Sequence, residues 1–337
     1  MRQIWITEAG APEVLAVKEA PDPVAGPGEV RIRVKAVGVN FADLMSRLGL
    51  YPDAPPVPCV VGYEVAGIVD QVGDGVTRAE VGGRVIAMPK FGGYTDTLVV
   101  KEALVFRMPE AMPFEEGAAM PVTYLTAFMM MMHMGYLRPK STVLIHSAAG
   151  GVGIAAIQLA KLRNCTIIGL ASKSKHDFLR SIGVQHALEN VEDYAPLVRA
   201  IVGDNGVDLI LDPVGGKSWS DGYELLGPCG RLCAYGISST AAGKTRNLMH
   251  AARQLAAIPK YTPRTLMEDN KTISGCNMAH LYSRLDILSP RFDELLEMYV
   301  RGEVKPHVDR AFSFDEAAQA HHYIHDRKAV GKVVLVP

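Results

Sequence analysis

The segment Val143-Leu144-Ile145-His146-Ser147-Ala148-Ala149-Gly150-Gly151-Val152-Gly153 constrains this chain more than any other. A buried-strand pattern, Thr142 to His146, runs into a turn of small residues and then into an amphipathic helix from Ile154 to Arg163. The turn has G-x-G-x-x-G spacing, with Ala148 in the first place and Gly150 and Gly153 in the other two. Such a turn brings backbone N–H groups close to a pyrophosphate, and the helix N-terminus stabilises the negative charge. Ala148 is small enough to make the turn, and Gly153 lets the helix pack close to the strand. Gly151 and Val152 complete the candidate cradle. A glycine string alone carries little information, but between a strand and a helix it specifies a dinucleotide site.

The residues after the turn set the fold class. A second apolar strand runs from Thr166 to Leu170, then a helix from about Lys175 to Ile182, a strand from Val207 to Leu211 and another near Arg231 to Tyr235. Strands alternating with helices imply an α/β fold with a parallel, doubly wound sheet. Cofactor choice is read at the end of the second strand, where an acidic side chain would bind the ribose 2′-hydroxyl of NAD. Here Ser172, Lys173 and Lys175 supply donors and positive charge, and no carboxylate occurs before Asp177. A 2′-phosphate suits that segment, so NADPH is expected over NADH.

Residues 1 to about 110 have a different character. Short apolar runs such as Val30-Arg31-Ile32-Arg33-Val34 and Val65-Ala66-Gly67-Ile68-Val69 are broken by Gly and Pro turns, a β-rich pattern. A length of 337 residues exceeds what one core usually organises. The expected division is a β-rich unit of residues 1–115 and 275–337 around a nucleotide unit of residues 116–274. The formal net charge of −1 suggests neither nucleic acid nor an anionic membrane as partner. Cys59, Cys165, Cys229, Cys233 and Cys276 are scattered and form no C-x-x-C pair, which suits a reducing cytosol. Gly117 to Tyr136 lacks Asp, Glu, Lys and Arg, but Pro121, Thr123, Thr126 and His133 interrupt it. It reads as one buried helix joining two domains, not a membrane span. With no apolar secretory leader at the N-terminus, a cytoplasmic location is expected.

Four segments together carry a family resemblance: Gly38-Val39-Asn40-Phe41-Ala42-Asp43, Gly49-Leu50-Tyr51-Pro52, Gly62-Tyr63-Glu64-Val65-Ala66-Gly67 and the Ala148 to Gly153 turn. The chain resembles the medium-chain dehydrogenases/reductases over essentially its whole length, and within them the quinone oxidoreductase branch. Pro121 to Ala127, Lys244 to Met249 and the ending Val330 to Pro337 look most like its vesicle amine transport protein subgroup. The resemblance implies a Rossmann nucleotide domain and a GroES-like catalytic domain. Zinc-using relatives carry Cys at the position of Asn40 and His at that of Tyr63; neither replacement is a plausible zinc ligand, so no metal is expected. The four-cysteine lobe of those enzymes is also absent. His321, His322 and His325 complete no H-E-x-x-H motif and read as a solvated helix face.

Without a Lewis acid, hydride transfer suits acceptors that delocalise their own charge, such as quinones and α,β-unsaturated carbonyls. The resemblance places Asn40 and Tyr51 along the substrate cleft as hydrogen-bond candidates, with Tyr51 also a proton donor. Asp43 is a weaker candidate, able instead to cap the next helix. By the same resemblance the cofactor groove takes in Thr126, Asp212 with the Pro213 to Gly216 turn, Gly236, Ile237, Asn277 and Lys332. Asn190 stands where some quinone reductases use a tyrosine near the 2′-phosphate. The expected substrate is a small apolar conjugated carbonyl compound. Two readings compete with it: an enoyl-thioester or 2-alkenal reductase, and an NADPH-binding structural or membrane-associated protein with little turnover. Relatives commonly dimerise through Rossmann sheet edges, so a homodimer is expected with Arg231 to Tyr235 near the edge.

Overall fold

The computed structural model describes residues 1–241 and 243–337. They form two compact units: residues 1–122, 243–246 and 279–337, and residues 123–242 and 247–278. Along the chain the strands are β1 (Arg2–Ile6), β2 (Leu15–Glu19), β3 (Glu29–Val39), β4 (Val65–Val72), β5 (Arg84–Ala87), β6 (Thr97–Lys101) and β7 (Val105–Arg107). The second unit contributes β8 (Thr142–Ile145), β9 (Thr166–Ala171), β10 (His186–Glu189), β11 (Val207–Asp212), β12 (Leu226–Ala234) and β13 (Thr272–Gly275). The chain returns to the first unit for β14 (Val308–Ser313) and β15 (Lys332–Val336).

In the first unit a seven-stranded sheet runs β14-β15-β3-β4-β5-β7, with β6 also on β3, and β1 pairs β2 beside it. Alternation drives β3: Val30, Ile32 and Val34 are buried, while Arg31 and Arg33 point outward and pair with Asp70. Beyond Lys35 the alternation ends and Ala36, Val37 and Val39 are all buried. There β3 is covered on both faces, which explains its continuous apolar run. The core gathers Ile4, Ile6, Ile32, Val65, Tyr94, Phe314 and Leu335.

In the second unit all six strands are parallel, in the order β10-β9-β8-β11-β12-β13. Numbered from β8, this is the doubly wound order 3-2-1-4-5-6, which reverses direction between β8 and β11. Val143, Leu144, Ile145, Ile167, Ile168, Leu209, Ile210 and Leu211 are all buried, as strands covered on both faces require.

Two expectations are corrected by this topology. Arg231 to Tyr235 does not end the sheet, because β13 pairs outside β12 and forms the edge. Nor is the apolar run 117–136 a single helix. The chain's first helix, α1 (Phe41–Arg47), lies in the first unit; the run itself holds the end of α2 (Phe114–Ala119), then α3 (Pro121–Phe128), and closes with a π-helical turn, Met129–Met134. Among the described residues no helix is long and apolar enough to cross a membrane.

Candidate functional site

Because the second unit's strands are parallel, the loops after β8, β9, β11, β12 and β13 all leave the sheet at its C-terminal end. That end holds most of the expected cofactor residues. After β8, Ser147 takes a positive φ of 52°, Gly150 donates its N–H to Ser147 O at 2.8 Å, and Ala148 N–H reaches Leu170 O on β9 at 3.0 Å. Helix α4 (Gly151–Leu162) begins at once, so the N–H groups of Gly151, Val152 and Gly153 have no carbonyl partner within the helix. A Cβ at Gly153 would lie 2.5 Å from Ala148 O. Only glycine lets α4 sit this close to the turn, and the cradle fits a pyrophosphate.

After β9 come Ser172 and Lys173, both exposed, then Lys175. Asn190 joins them through its N–H to Ala171 O at 3.0 Å, an approach created by the pairing of β10 on β9. Asp212 behaves differently. Its carboxylate turns inward, accepting from Val214 N–H at 2.6 Å and from the Ser218 hydroxyl at 2.5 Å. It shapes the loop after β11, with buried His146 at 3.7 Å. Gly236 lies against Pro213, where a Cβ would come within 3.0 Å of the carbonyl oxygen. Ile237 is half-buried in the same loop, Asn277 is exposed after β13, and Thr126 is buried on α3.

Lys332 belongs to the first unit. Its ammonium donates to Asn40 Oδ1 at 2.6 Å and to Glu64 Oε1 at 2.5 Å. Asn40 Nδ2 donates to the same Glu64 oxygen at 2.8 Å, and Val122 N–H reaches Glu64 Oε2 at 2.7 Å. All three side chains are buried. Gly38 makes the room: a Cβ there would lie 2.5 Å from Glu64 Oε1 and 2.3 Å from Ala118 O. Asn40, expected to face substrate, therefore has its amide committed at both ends to protein partners.

Asp43 is wholly buried and accepts from Asn40 N–H at 2.7 Å, the capping role weighed for it. Tyr94 OH donates to the same Oδ2 at 3.2 Å and lies 3.1 Å from His321 Nε2. Burial pushes the Asp43 carboxyl up to about 7 against the opposing pull of Asn40 N–H and Lys332. His321 is fully buried, which corrects the reading of its helix, Ala317–His325, as a solvated histidine face. His325 contacts the buried Arg47 guanidinium at 2.5 Å, and His322 is bound to Glu13 at 2.7 Å; both are half-buried.

Tyr51 is half-buried, its ring edge-on to Tyr63 with centroids 6.4 Å apart. Burial, then Asp53 and Asp43, push its phenol up to about 12, so it is protonated at neutral pH. Its hydroxyl has no hydrogen-bond partner among the described residues and is not sealed from solvent. It is a free donor. Sequence reasoning missed Glu64, Tyr94, His321 and Arg47. A carboxylate set between apolar residues in Gly62 to Gly67 was the one visible signal.

Comparison with known proteins agrees with this architecture. A profile described as alcohol dehydrogenase GroES-like domain matches residues 26–110, and one described as zinc-binding dehydrogenase matches residues 182–335. The synaptic vesicle membrane protein VAT-1 homolog of Rattus norvegicus is 39% identical, covering 100% of this chain and 84% of the relative. The crystal structure of the human VAT-1 homolog-like protein superimposes with a TM-score of 0.87 at 32% identity, covering 100% of this chain and 98% of that one. Escherichia coli quinone oxidoreductase, complexed with NADPH, superimposes with a TM-score of 0.88 at 26% identity, each chain covered to 100%.

A Rossmann-type unit paired in one chain with a GroES-like unit defines an oxidoreductase architecture. The chain belongs to the medium-chain dehydrogenase/reductase family, close to the VAT-1 homologues and to quinone oxidoreductase structures. One profile description names zinc, and the residues present do not fit that ion. Glu64 is already paired with an ammonium, Asn40 is committed at both ends, and burial holds the Tyr63 phenol far above its ordinary value. Among the described residues no group of three His, Cys, Asp or Glu side chains could hold a metal.

Proposed function

We propose that this oxidoreductase reduces conjugated carbonyl compounds, quinones first among them, with NADPH as the reductant. The observation that carries the reading is the Lys332–Glu64–Asn40 cluster, together with the free Tyr51 phenol in the same unit. An ion pair neutralises the cluster, so it offers no Lewis acid to polarise an isolated ketone. The acceptor must delocalise its own developing charge, as a quinone or enone does.

When bound, NADPH supplies the hydride. The first-turn N–H groups of α4 hold the pyrophosphate, and Ser172 and Lys173 hold the 2′-phosphate. Tyr51 donates a hydrogen bond, and then a proton, to the acceptor oxygen as negative charge develops there; water reprotonates the phenol. Asn40 acts as a positioning residue, tying the start of α1 to Glu64 and Lys332. One hydride and one proton convert a quinone to its hydroquinone; the proton comes from Tyr51, whose phenol water then restores.

With an ortho-naphthoquinone as acceptor, Tyr51→Phe is expected to lower kcat about a hundredfold while leaving NADPH affinity within about twofold. Stopped-flow NADPH oxidation and calorimetric titration read the two quantities. Wild-type kcat in the variant removes Tyr51 as donor; wild-type protein that never oxidises NADPH with any conjugated acceptor removes the reductase reading.

The Lys173→Glu variant tests cofactor choice. Exchanging a cation for an anion beside the 2′-phosphate is expected to reduce the NADPH-to-NADH affinity ratio by at least about tenfold. Calorimetric titration with both nucleotides measures it, and an unchanged ratio places the phosphate elsewhere.

A further inference from the structure

The turn that carries Tyr51 is flanked by positive charge that the reductase reading does not use. Arg246 is exposed and makes no hydrogen bond or ion pair among the described residues. Its guanidinium lies on Gly49, two residues before Tyr51: a Cβ built at Gly49 would stand 3.6 Å from both Cζ and Nε of Arg246. Gly49 itself takes φ +65°, so the turn presents bare backbone there.

Beneath the turn, Arg47 is fully buried, and its Nε and Nη1 have no hydrogen-bond partner among the described residues. Its Nη2 meets His325, which burial, with Arg47 and Lys244, pushes down to about 4, so this imidazole is neutral near pH 7. Lys244 completes the group. Its ammonium pairs with Asp326 at 2.5 Å, and that carboxylate also has Lys328 at 3.5 Å. The other nearby carboxylates are engaged as well, Asp53 by His280 at 2.9 Å and Glu13 by His322 at 2.7 Å. Arg246 is thereby left without a carboxylate partner of its own among the described residues, while Asp53 and Asp43 are the anions that face Tyr51.

We infer that Arg246 forms an anion subsite beside Tyr51, so that the acceptor reduced here carries a negatively charged group, a carboxylate or a phosphate, in addition to its conjugated carbonyl. The guanidinium pairs with that group through two parallel N–H donors. Arg47 and Lys244 add attraction without needing to touch the ligand. The inference rests on the proposed reductase activity for its substrate and on the Arg246 geometry for its site.

The test compares one ring with and without a charge: an ortho-naphthoquinone and the same quinone bearing a sulfonate. In the wild-type protein the sulfonate is expected to have the higher kcat/KM. Arg246→Gln should reduce the sulfonate-to-neutral ratio about tenfold, Arg246→Lys should restore part of it, and added salt should lower it in the wild type only. A ratio that stays within about twofold in Arg246→Gln overturns the subsite while leaving the reductase reading intact. If neither quinone is turned over, the reductase reading falls, and equilibrium binding of the two quinones to NADPH-loaded protein then decides the subsite. Preference for the sulfonate that disappears in Arg246→Gln supports it, and no preference overturns it. A carboxylated enone compared with an enoyl coenzyme A thioester separates the sources, since only the first places a carboxylate on the acceptor and only the second brings carrier phosphates.

Discussion

Replacing Lys332 by methionine is expected to destabilise the first unit by about 3–5 kcal/mol, the usual consequence of leaving one member of a buried ion pair without its partner. Glu64 is fully buried, and its Oε1 accepts from both Lys332 and Asn40. Methionine matches the length of the lysine stem but brings no donor. Val122 N–H and Asn40 Nδ2 still reach the carboxylate, so the cost should fall toward the lower end of that range. The Lys332→Met/Glu64→Gln double variant should recover much of the loss, because an amide is far cheaper to bury than a lone carboxylate. The chain has two tryptophans, Trp5 and Trp219, in different units. In a Trp219→Phe background, urea unfolding followed by Trp5 fluorescence reports the first unit alone. A single variant within about 1 kcal/mol of its parent, or a double variant weaker than the single, would show that the pair is not the buried couple described here.

How legible each part of this molecule is in its sequence depends on what each signal measures. The central strands β8, β9 and β11 were readable because burial on both faces demands continuous apolar runs, and the glycine turn because its spacing is local. The short strands at the two edges were not. In β10, His186–Glu189, no residue is buried and one is a glutamate; β13, Thr272–Gly275, is Thr-Ile-Ser-Gly with both ends exposed. An edge strand has one neighbour and partial burial, so its composition need not differ from a loop's. Missing β13 put Arg231 to Tyr235 one place too near the rim. The histidines failed for another reason. The burial of His321 depends on Tyr94, 227 residues away in the chain, and helical periodicity alone does not reveal which face a distant strand region will cover. The same holds for Lys332, 268 residues from Glu64. Asn40 and Tyr51 were found by motif, but only the fold separates their states: one amide saturated by protein partners, one phenol left free.

The second large effect is expected from a single methyl group. In Gly153→Ala the new Cβ would meet Ala148 at 2.5 Å from O and 2.7 Å from C and Cα, all backbone atoms that no rotamer change can move. Helix α4 and the turn after β8 must separate. Overpacking of this kind costs about 1–3 kcal/mol, offset by the roughly 0.5–1 kcal/mol that alanine gains over glycine inside a helix. The larger consequence falls on the nucleotide. The N–H groups of Gly151 and Val152 and the turn at Ala148 move apart together, and a displacement near 1 Å in such a cradle is worth about a hundredfold. NADPH affinity should therefore fall about a hundredfold while the protein remains folded. Gly222→Ala is the matched comparison: it too adds a methyl to a helical glycine of the second unit, yet its Cβ would find nothing nearer than 3.6 Å. That variant should bind NADPH normally and melt at or slightly above the parent temperature. Calorimetric titration and thermal melts of both variants separate the two effects. If Gly153→Ala binds NADPH as the parent does, the turn after β8 is not the pyrophosphate cradle, and the cofactor site must be sought at another of the loops along that end of the sheet.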